Sequence, residues 1–194
     1  AGITVHVMTE GIDAGDIVAQ QELTVGETEN VGQLSQRQHH AAATLLTESV
    51  NAIARGRIEL KPQNIVERSY FGKKKAADTM VDWKGSARQI LNLLRALQPY
   101  EPVIASLNGR TIKIYEARLR EGSAEEGSSG QIMAKQSGKL LVQTGRGYLE
   151  ILAYEIVPFH GWINRTLQQI LLPSVGSHFD LTPPATGPTP KVVS

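Results

Sequence analysis

The sequence predicts an incomplete α/β layer followed by a small β-barrel, with a polar linker between them and an extended tail at the end. Two strand-like runs and one long amphipathic helix fill residues 1–61, which are too few elements to cover both faces of a sheet. Five short strand-like runs separated by tight-turn signals follow, a pattern typical of a small barrel, although composition alone also allows another small β fold. We therefore expect four segments, at residues 1–61, 62–85, 86–180 and 181–194.

The first segment begins with two strands joined by a turn that glycines bracket. Apolar and polar residues alternate over residues 3–8, and a second strand-like run covers residues 17–25. Gly11 and Gly15 permit the positive φ angles that a tight turn often needs. The pattern therefore predicts a hairpin that holds Asp13 at a rigid loop tip.

A long helix follows these strands and ends near Arg55, just before Gly56. Thr28 or Asn30 can cap it, and its apolar residues recur at near-helical spacing. Such a helix packs on a sheet, of which the two predicted strands supply only a part. We therefore expect the chain to be the carboxyl-terminal portion of a longer protein, whose missing amino-terminal half completes this layer.

The remaining elements are shorter. Residues 62–85 are polar and irregular and predict a linker, and Ser86 caps a helix that ends before Pro99. The strands that follow are separated by Asn-Gly, Ser-Gly and Gly-Arg-Gly turns, and we expect them at residues 103–107, 111–119, 131–135, 139–143 and 148–157. A surface loop at residues 122–130, a closing helix at residues 162–172 and a proline- and threonine-rich extended tail complete the prediction.

Composition excludes several classes of function. The 194 residues include no cysteine, so disulfides, thiolate nucleophiles and cysteine-ligated metal sites are excluded. The five histidines form no ligand pattern, and we predict no metal site. No apolar run approaches the roughly 20 residues that span a bilayer. We expect a cytoplasmic protein without a membrane partner.

Charge is distributed unevenly along the chain. Residues 1–68 carry 5 basic and 9 acidic side chains, whereas residues 69–194 carry 15 basic and 10 acidic ones. Basic surface attracts phosphate groups without reading sequence. At this stage tRNA, a nucleotide-linked sugar and no polyanion at all remain open as partners.

The segment Val5–Gln20, V-H-V-M-T-E-G-I-D-A-G-D-I-V-A-Q, resembles the region around the catalytic aspartate of folate-dependent formyltransferases. That family includes methionyl-tRNA formyltransferase and the amino-sugar N-formyltransferases. The resemblance continues more weakly to about Asp180. It implies that residues 1–61 are the α/β remnant of a Rossmann-like formyltransferase domain and that residues 86–180 form an OB-like β-barrel.

The resemblance also implies a site. It makes Asp13 the catalytic aspartate, and it places backbone groups of the same turn against the pterin ring of the co-substrate 10-formyltetrahydrofolate. The residues implied in this binding are Thr9, Glu10, Gly11, Ile12 and Asp13. The family's other catalytic residues, an asparagine and a histidine, belong to an upstream Asn-x-His motif that these residues lack. We therefore expect the chain to be inactive by itself.

The turn around Asp13 can be interpreted either as part of a catalytic site or as a purely structural turn. Formyl transfer needs a group that manages a proton between the attacking amine and the leaving nitrogen, and a carboxylate beside an imidazole suits that role. Asp and Gly are also common turn residues, so a purely structural Asp13 is the competing interpretation. His6, on the strand that leads into the turn, is interpreted as a residue lining the site.

The acceptor amine is less well defined. The run Phe71–Lys75, followed by Asp82 and Trp83, is similar to the linker of amino-sugar formyltransferases, which favours an amino sugar nucleotide over methionyl-tRNA. Two alternatives remain: a non-catalytic OB-type module that binds nucleic acid, and a formylation domain of a peptide synthetase, which the proline-rich tail would suit.

Overall fold

The structure is a computed structural model, which describes residues 1–64, 66, 69, 71–122, 129–157 and 173–181. The chain forms two compact units, Ala1–Lys73 and Lys74–Ser194. Their boundary lies inside the segment that the sequence predicts as a linker. The predicted helix at residues 162–172 and the tail beyond residue 181 lie outside the described residues.

The first unit contains the predicted hairpin and helix. Strands β1 (Gly2–His6) and β2 (Ile17–Glu22) pair antiparallel, and the register shifts between Val5 and His6. Both strands are shorter than predicted. On the other edge of β2, Lys61 and Ile17 exchange two backbone hydrogen bonds of 2.8 and 2.9 Å, so the chain after the helix returns to this sheet.

Helix α1 (Val31–Ala54) confirms the prediction made from its capping residues. The Asn30 side chain accepts from the Gln33 amide, and the Gln33 side chain accepts from the Asn30 amide, each at 3.0 Å. This reciprocal pair satisfies two of the N–H groups that a helix start leaves without partners. Of the 24 residues, only Gly32 and Ser49 are buried. The apolar face of α1 is thus largely exposed.

The second unit is a helix on an antiparallel sheet. A short 3₁₀ helix (Ala76–Thr79) precedes helix α2 (Ala87–Leu97), which Ser86 and Gln89 cap reciprocally. The strands that follow are β3 (Val103–Leu107), β4 (Arg110–Arg120), β5 (Ile132–Gln136), β6 (Lys139–Gln143) and β7 (Tyr148–Ile156). They form one sheet in the order β3-β4-β7-β6-β5, and every neighbouring pair is antiparallel.

Two hairpin turns have the backbone that the sequence predicts. Asn108 and Gly109 have φ angles of 52° and 72°, and Ser137 and Gly138 have 48° and 79°. Two successive positive φ angles are the signature of the turn that matches the twist of two-residue hairpins. Local sequence therefore determines how β3 joins β4 and how β5 joins β6.

The core of the second unit lies between α2 and the sheet. Ile90, Leu94 and Leu97 form the buried stripe of α2. Trp83 is fully buried and stacks on Phe179 with ring centroids 4.6 Å apart. Burying each large apolar side chain stabilises the fold by about 1.5–3 kcal/mol. Trp83 therefore belongs to the core rather than to a flexible connection.

The sheet of the second unit is open in the described residues, so the closed OB-like barrel predicted from the sequence is not shown. Strands β3 and β5 lie at opposite edges and do not pair with each other. Both edges instead hydrogen-bond to one irregular segment: Ile132 of β5 donates to Ser177, and Asp180 donates to Ser106 of β3, each at 2.8 Å. An irregular segment replaces the strand pairing that closure would need.

The hairpin between β6 and β7 packs directly on the chain before α2, and Gly145 permits the contact. A Cβ on Gly145 would lie 1.9 Å from the Lys84 carbonyl oxygen. We expect Gly145→Ala to lower the free energy of unfolding by about 1–3 kcal/mol, since backbone must move to admit the methyl group. Urea unfolding measures this loss. Gly72→Ala is the control, because no atom lies within 4 Å of its Cβ position. Equal stability of the two variants would contradict the prediction.

None of the helices in the described part of the chain has the length and apolarity needed to cross a bilayer. Within the same residues, no group of three or more His, Asp and Glu side chains is arranged to hold a metal ion.

Candidate functional site

The site predicted from the sequence lies in the connection between β1 and β2, residues 7–16, which we name the Asp13 turn. The Val7 amide donates to the Asp16 carbonyl at 3.0 Å and closes the turn at its base. Asp13 has a φ of 50°, a left-handed conformation that aspartate and asparagine adopt more readily than most residues. The turn therefore presents the Asp13 side chain at its tip.

Gly15 makes the turn compact. It is buried, and a Cβ on it would lie 1.8 Å from the Val7 carbonyl oxygen and 2.8 Å from the Val7 carbonyl carbon. Only glycine permits two stretches of backbone to approach this closely. The sequence predicts that the glycines provide positive φ angles. In the structure, Gly15 instead allows its backbone to lie close to the Val7 carbonyl.

Gln63 is a residue of the site that sequence reasoning missed. Its side-chain amide donates to the carbonyl oxygens of Gly15, at 2.5 Å, and of Asp13, at 3.1 Å. Gln63 follows Asp13 by 50 residues and lies in the segment interpreted as a linker. No local pattern marks a contact over this separation, so only the folded unit reveals that Gln63 supports the backbone of the catalytic candidate.

Asp13 and His6 face each other across the mouth of the turn. His6 Nε2 lies 3.6 Å from Asp13 Oδ1, with 22% of the histidine side chain and 82% of the aspartate side chain exposed. The other ring nitrogen, Nδ1, lies 3.0 Å from the Val7 carbonyl oxygen. An exposed pair of this kind contributes about 0–1 kcal/mol to stability. The arrangement is thus better suited to positioning a carboxylate than to holding the fold together.

The other predicted binding residues lie in the same turn. Thr9, Glu10, Gly11 and Ile12 are all exposed. The Thr9 hydroxyl donates to the Gly11 carbonyl at 3.3 Å. The side chain of Ile12 is 72% exposed. The structure thus brings the predicted residues together in one accessible turn with an apolar side chain beside the carboxylate.

The remaining histidines of the described residues lie elsewhere. His39 and His40 are exposed on α1, and His40 Nδ1 contacts the Gln36 carbonyl at 2.8 Å. His178 belongs to the second unit, and His160 lies outside the described residues. His6 is therefore the histidine of the described residues that the structure places at Asp13.

Comparison with known proteins gives this site its context. The formyl transferase family model matches residues 1–50, and the model of the formyl transferase C-terminal domain matches residues 73–163. The chain belongs to the formyl transferase family. The Asp13 turn lies within the first matched region, and the sheet of the second unit lies within the second.

Curated relatives of this formyl transferase chain share about a third of its residues. The methionyl-tRNA formyltransferase of Streptococcus pyogenes serotype M6 is 31% identical over 176 residues, which are 87% of this chain and 56% of that protein. The methionyl-tRNA formyltransferase of Streptococcus equi subsp. equi matches with the same identity and coverage. The chain therefore spans little more than half the length of the curated relatives it matches.

Solved structures show the same formyltransferase-like fold at lower identity. HypX from Aquifex aeolicus, crystallised with tetrahydrofolic acid, has a TM-score of 0.60 and 19% identity, covering 81% of this chain and 27% of that one. An N-formyltransferase from Helicobacter canadensis, in complex with folinic acid and dTDP-3-aminofucose, has a TM-score of 0.61 and 21% identity, covering 79% and 55% respectively.

Proposed function

We propose that these 194 residues are part of an N-formyltransferase that moves a formyl group from 10-formyltetrahydrofolate to an acceptor amine, with Asp13 as a catalytic residue. The observation that carries the proposal is the Asp13 carboxylate itself, exposed at the tip of a turn whose backbone Gly15 and Gln63 hold in place. Membership of the formyl transferase family supplies the reaction class.

The co-substrate supplies an activated formyl carbon when bound. The chain's own contribution follows from the charge of Asp13. A carboxylate near the reacting groups favours the protonated form of an imidazole and orients water for proton transfer. In this proposal Asp13 steers the proton that the attacking amine gives up and that the leaving nitrogen gains.

The residues proposed to contact the pterin ring fit a flat, polar-edged heterocycle. Backbone of Thr9–Asp13 is accessible, and peptide groups offer donors and acceptors to a ring edge. Ile12 offers an apolar surface beside them. Binding sites for cofactors commonly combine these two features, an apolar lining and a few fixed polar groups.

We further propose that the chain is the carboxyl-terminal portion of its enzyme and is inactive alone. Leu46, Val50 and Ile53 on α1 are each about half exposed, although spacing places them on the face that should pack on a sheet. An amino-terminal half of the same protein would cover this face and would supply the Asn-x-His motif. These 194 residues include Asp13 but contain no Asn-x-His motif.

The second unit is proposed to be the family's OB-like carboxyl-terminal domain, within residues 86–180, with residues 62–85 as linker and residues 181–194 as tail. The segment of residues 176–180, which hydrogen-bonds to both sheet edges, supports a barrel-like arrangement. We also propose a cytoplasmic location.

The acceptor is proposed to be an amino sugar nucleotide, with methionyl-tRNA as the second candidate. On β4, Arg118 and Arg120 both contact Glu150, and Lys113 contacts Glu155. The Arg118 guanidinium holds the pKa of Glu150 below its usual range. Basic groups that are already paired, as these three are, attract a polyanion weakly, which argues against tRNA and against a nucleic-acid-binding module. The curated methionyl-tRNA formyltransferase relatives keep the tRNA candidate open.

Formyl transfer by the complete gene product tests the proposal. The purified protein is incubated with 10-formyltetrahydrofolate and either a dTDP-linked amino sugar or methionyl-tRNA, and the formylated product is measured by mass spectrometry. We expect formylation of the amino sugar, and no product from the 194-residue chain alone. Formylation of methionyl-tRNA only would select the second candidate. No product from either acceptor, combined with salt-dependent binding of tRNA, would favour the non-catalytic module instead.

A further inference from the structure

We propose that His6 is a positioning residue that holds the Asp13 carboxylate for proton transfer, with its own ring oriented by the Val7 carbonyl. The inference rests on the proposed function for its catalytic meaning and on the geometry of the Asp13 turn for its physical basis. It assigns a role within this chain to an imidazole distinct from the one expected in the absent Asn-x-His motif.

The Val7 carbonyl is a fixed point in the turn. Gly15 lies so close to it that any Cβ would overlap the oxygen, and the Val7 amide is tied to the Asp16 carbonyl at 3.0 Å. The Gln63 side chain, 48 residues further along the sequence, donates to the Gly15 carbonyl and restrains it. The oxygen that faces the His6 ring therefore has little freedom to move.

The contact with Val7 favours one position of the ring hydrogen. A carbonyl oxygen can only accept, so a hydrogen bond at the 3.0 Å contact has His6 Nδ1 as its donor. In a neutral ring with hydrogen on Nδ1, the other nitrogen, Nε2, carries a lone pair. Nε2 is the atom that lies 3.6 Å from Asp13 Oδ1. His6 can therefore take up a proton at the atom that faces the carboxylate.

This arrangement restrains an otherwise exposed side chain. The Asp13 carboxylate is 82% exposed, and at such exposure a side chain samples several rotamers unless a partner holds it. A proton on Nε2 converts the 3.6 Å approach into a charge-assisted interaction that selects one orientation. A histidine that only packed on β1 would need neither the Nδ1 contact nor this direction of Nε2.

The first test is spectroscopic and uses the 194-residue chain. Nitrogen-15 correlation spectra at a pH where imidazoles are neutral report which ring nitrogen carries the proton. We expect His6 to be protonated at Nδ1 and unprotonated at Nε2. His39, exposed on α1, is the internal control and should show rapid averaging between the two forms. A His6 ring protonated at Nε2, or averaged like His39, would overturn the proposed orientation.

The second test is kinetic and uses the complete gene product. We expect His6→Ala to lower kcat by about 10–100-fold, the usual cost of losing a residue that orients a functional group, with KM for the folate changed less than about twofold because uniform binding is retained. His6→Gln should recover much of the loss, since its amide can still donate toward Asp13. His178→Ala, which changes an exposed histidine of the second unit, should match the unmodified enzyme.

The two tests separate the two proposals. A complete gene product that transfers no formyl group rejects the proposed function, while the spectra still decide whether His6 is oriented by Val7. An active enzyme in which His6→Ala changes kcat less than about threefold rejects the positioning role alone. A loss that appears in KM instead of kcat would also reject it, because the role would then be in ligand binding.

Discussion

Replacing Asp13 with asparagine is expected to lower kcat/KM for formyl transfer by about 10²–10⁴-fold, the range that a positioned acid or base contributes. Asparagine has nearly the same shape and tolerates the φ of 50° that this position requires. The Gln63 contacts are made to backbone oxygens, so they survive the substitution. The loss would therefore report the missing charge and not a collapsed turn. Steady-state kinetics on the complete gene product, with a thermal melt beside it, measure both.

Asp16→Asn is the matched control, because it removes a carboxylate from the same turn. Asp16 contributes its backbone carbonyl to Val7, and that contact does not depend on the side-chain charge. We expect this variant to retain kcat/KM within about threefold, since it removes no group proposed to act in proton transfer. Activity of Asp13→Asn close to that of Asp16→Asn would reject Asp13 as a catalytic residue and leave it a turn former.

Replacing Arg110 with methionine is expected to raise the free energy of unfolding of the second unit by about 1–4 kcal/mol, as when buried charges give way to apolar groups of similar size. Arg110 is only 6% exposed, yet its Nε and Nη1 atoms have no hydrogen-bond partner among the residues that the structure describes. Within the described residues no carboxylate lies within ion-pair distance of it. Burying guanidinium nitrogens without hydrogen-bond partners costs up to several kcal/mol, and methionine fills similar space without that cost. Urea unfolding measures the gain.

Arg118→Met provides the comparison for this experiment. Arg118 lies on the same strand, is exposed, and contacts Glu150. Exposed ion pairs contribute about 0–1 kcal/mol, so this variant should be neutral or slightly less stable. A loss of stability in Arg110→Met greater than that in Arg118→Met would show that the buried guanidinium has a stabilising partner.

Short-range features of the sequence predicted most of the elements correctly. Asn30 and Ser86 each begin a helix because their side chains satisfy amide groups only three residues away. The Asn108-Gly109 turn forms because its residues tolerate positive φ. The position of Asp13 at a loop tip follows from the same local rules.

Local sequence patterns could not predict whether the sheet closes into a barrel. Closure depends on whether β3 and β5 meet, and their residues are separated by more than 20 positions along the chain. Alternation within a strand predicts which face is buried, but it says nothing about which strand lies at an edge. The described residues show an irregular segment at both edges, which no strand pattern marks.

The sequence by itself determined helices α1 and α2, the hairpin turns and the family motif around Asp13, because each depends on residues within a few positions of one another. Tertiary structure alone decided that Gln63 supports the turn, that Gly15 lies against the Val7 carbonyl and that His6 faces the carboxylate. These contacts arise only when strands and a returning segment pack together. The physical reason is that packing brings distant backbone into contact, and local propensity carries no information about that approach.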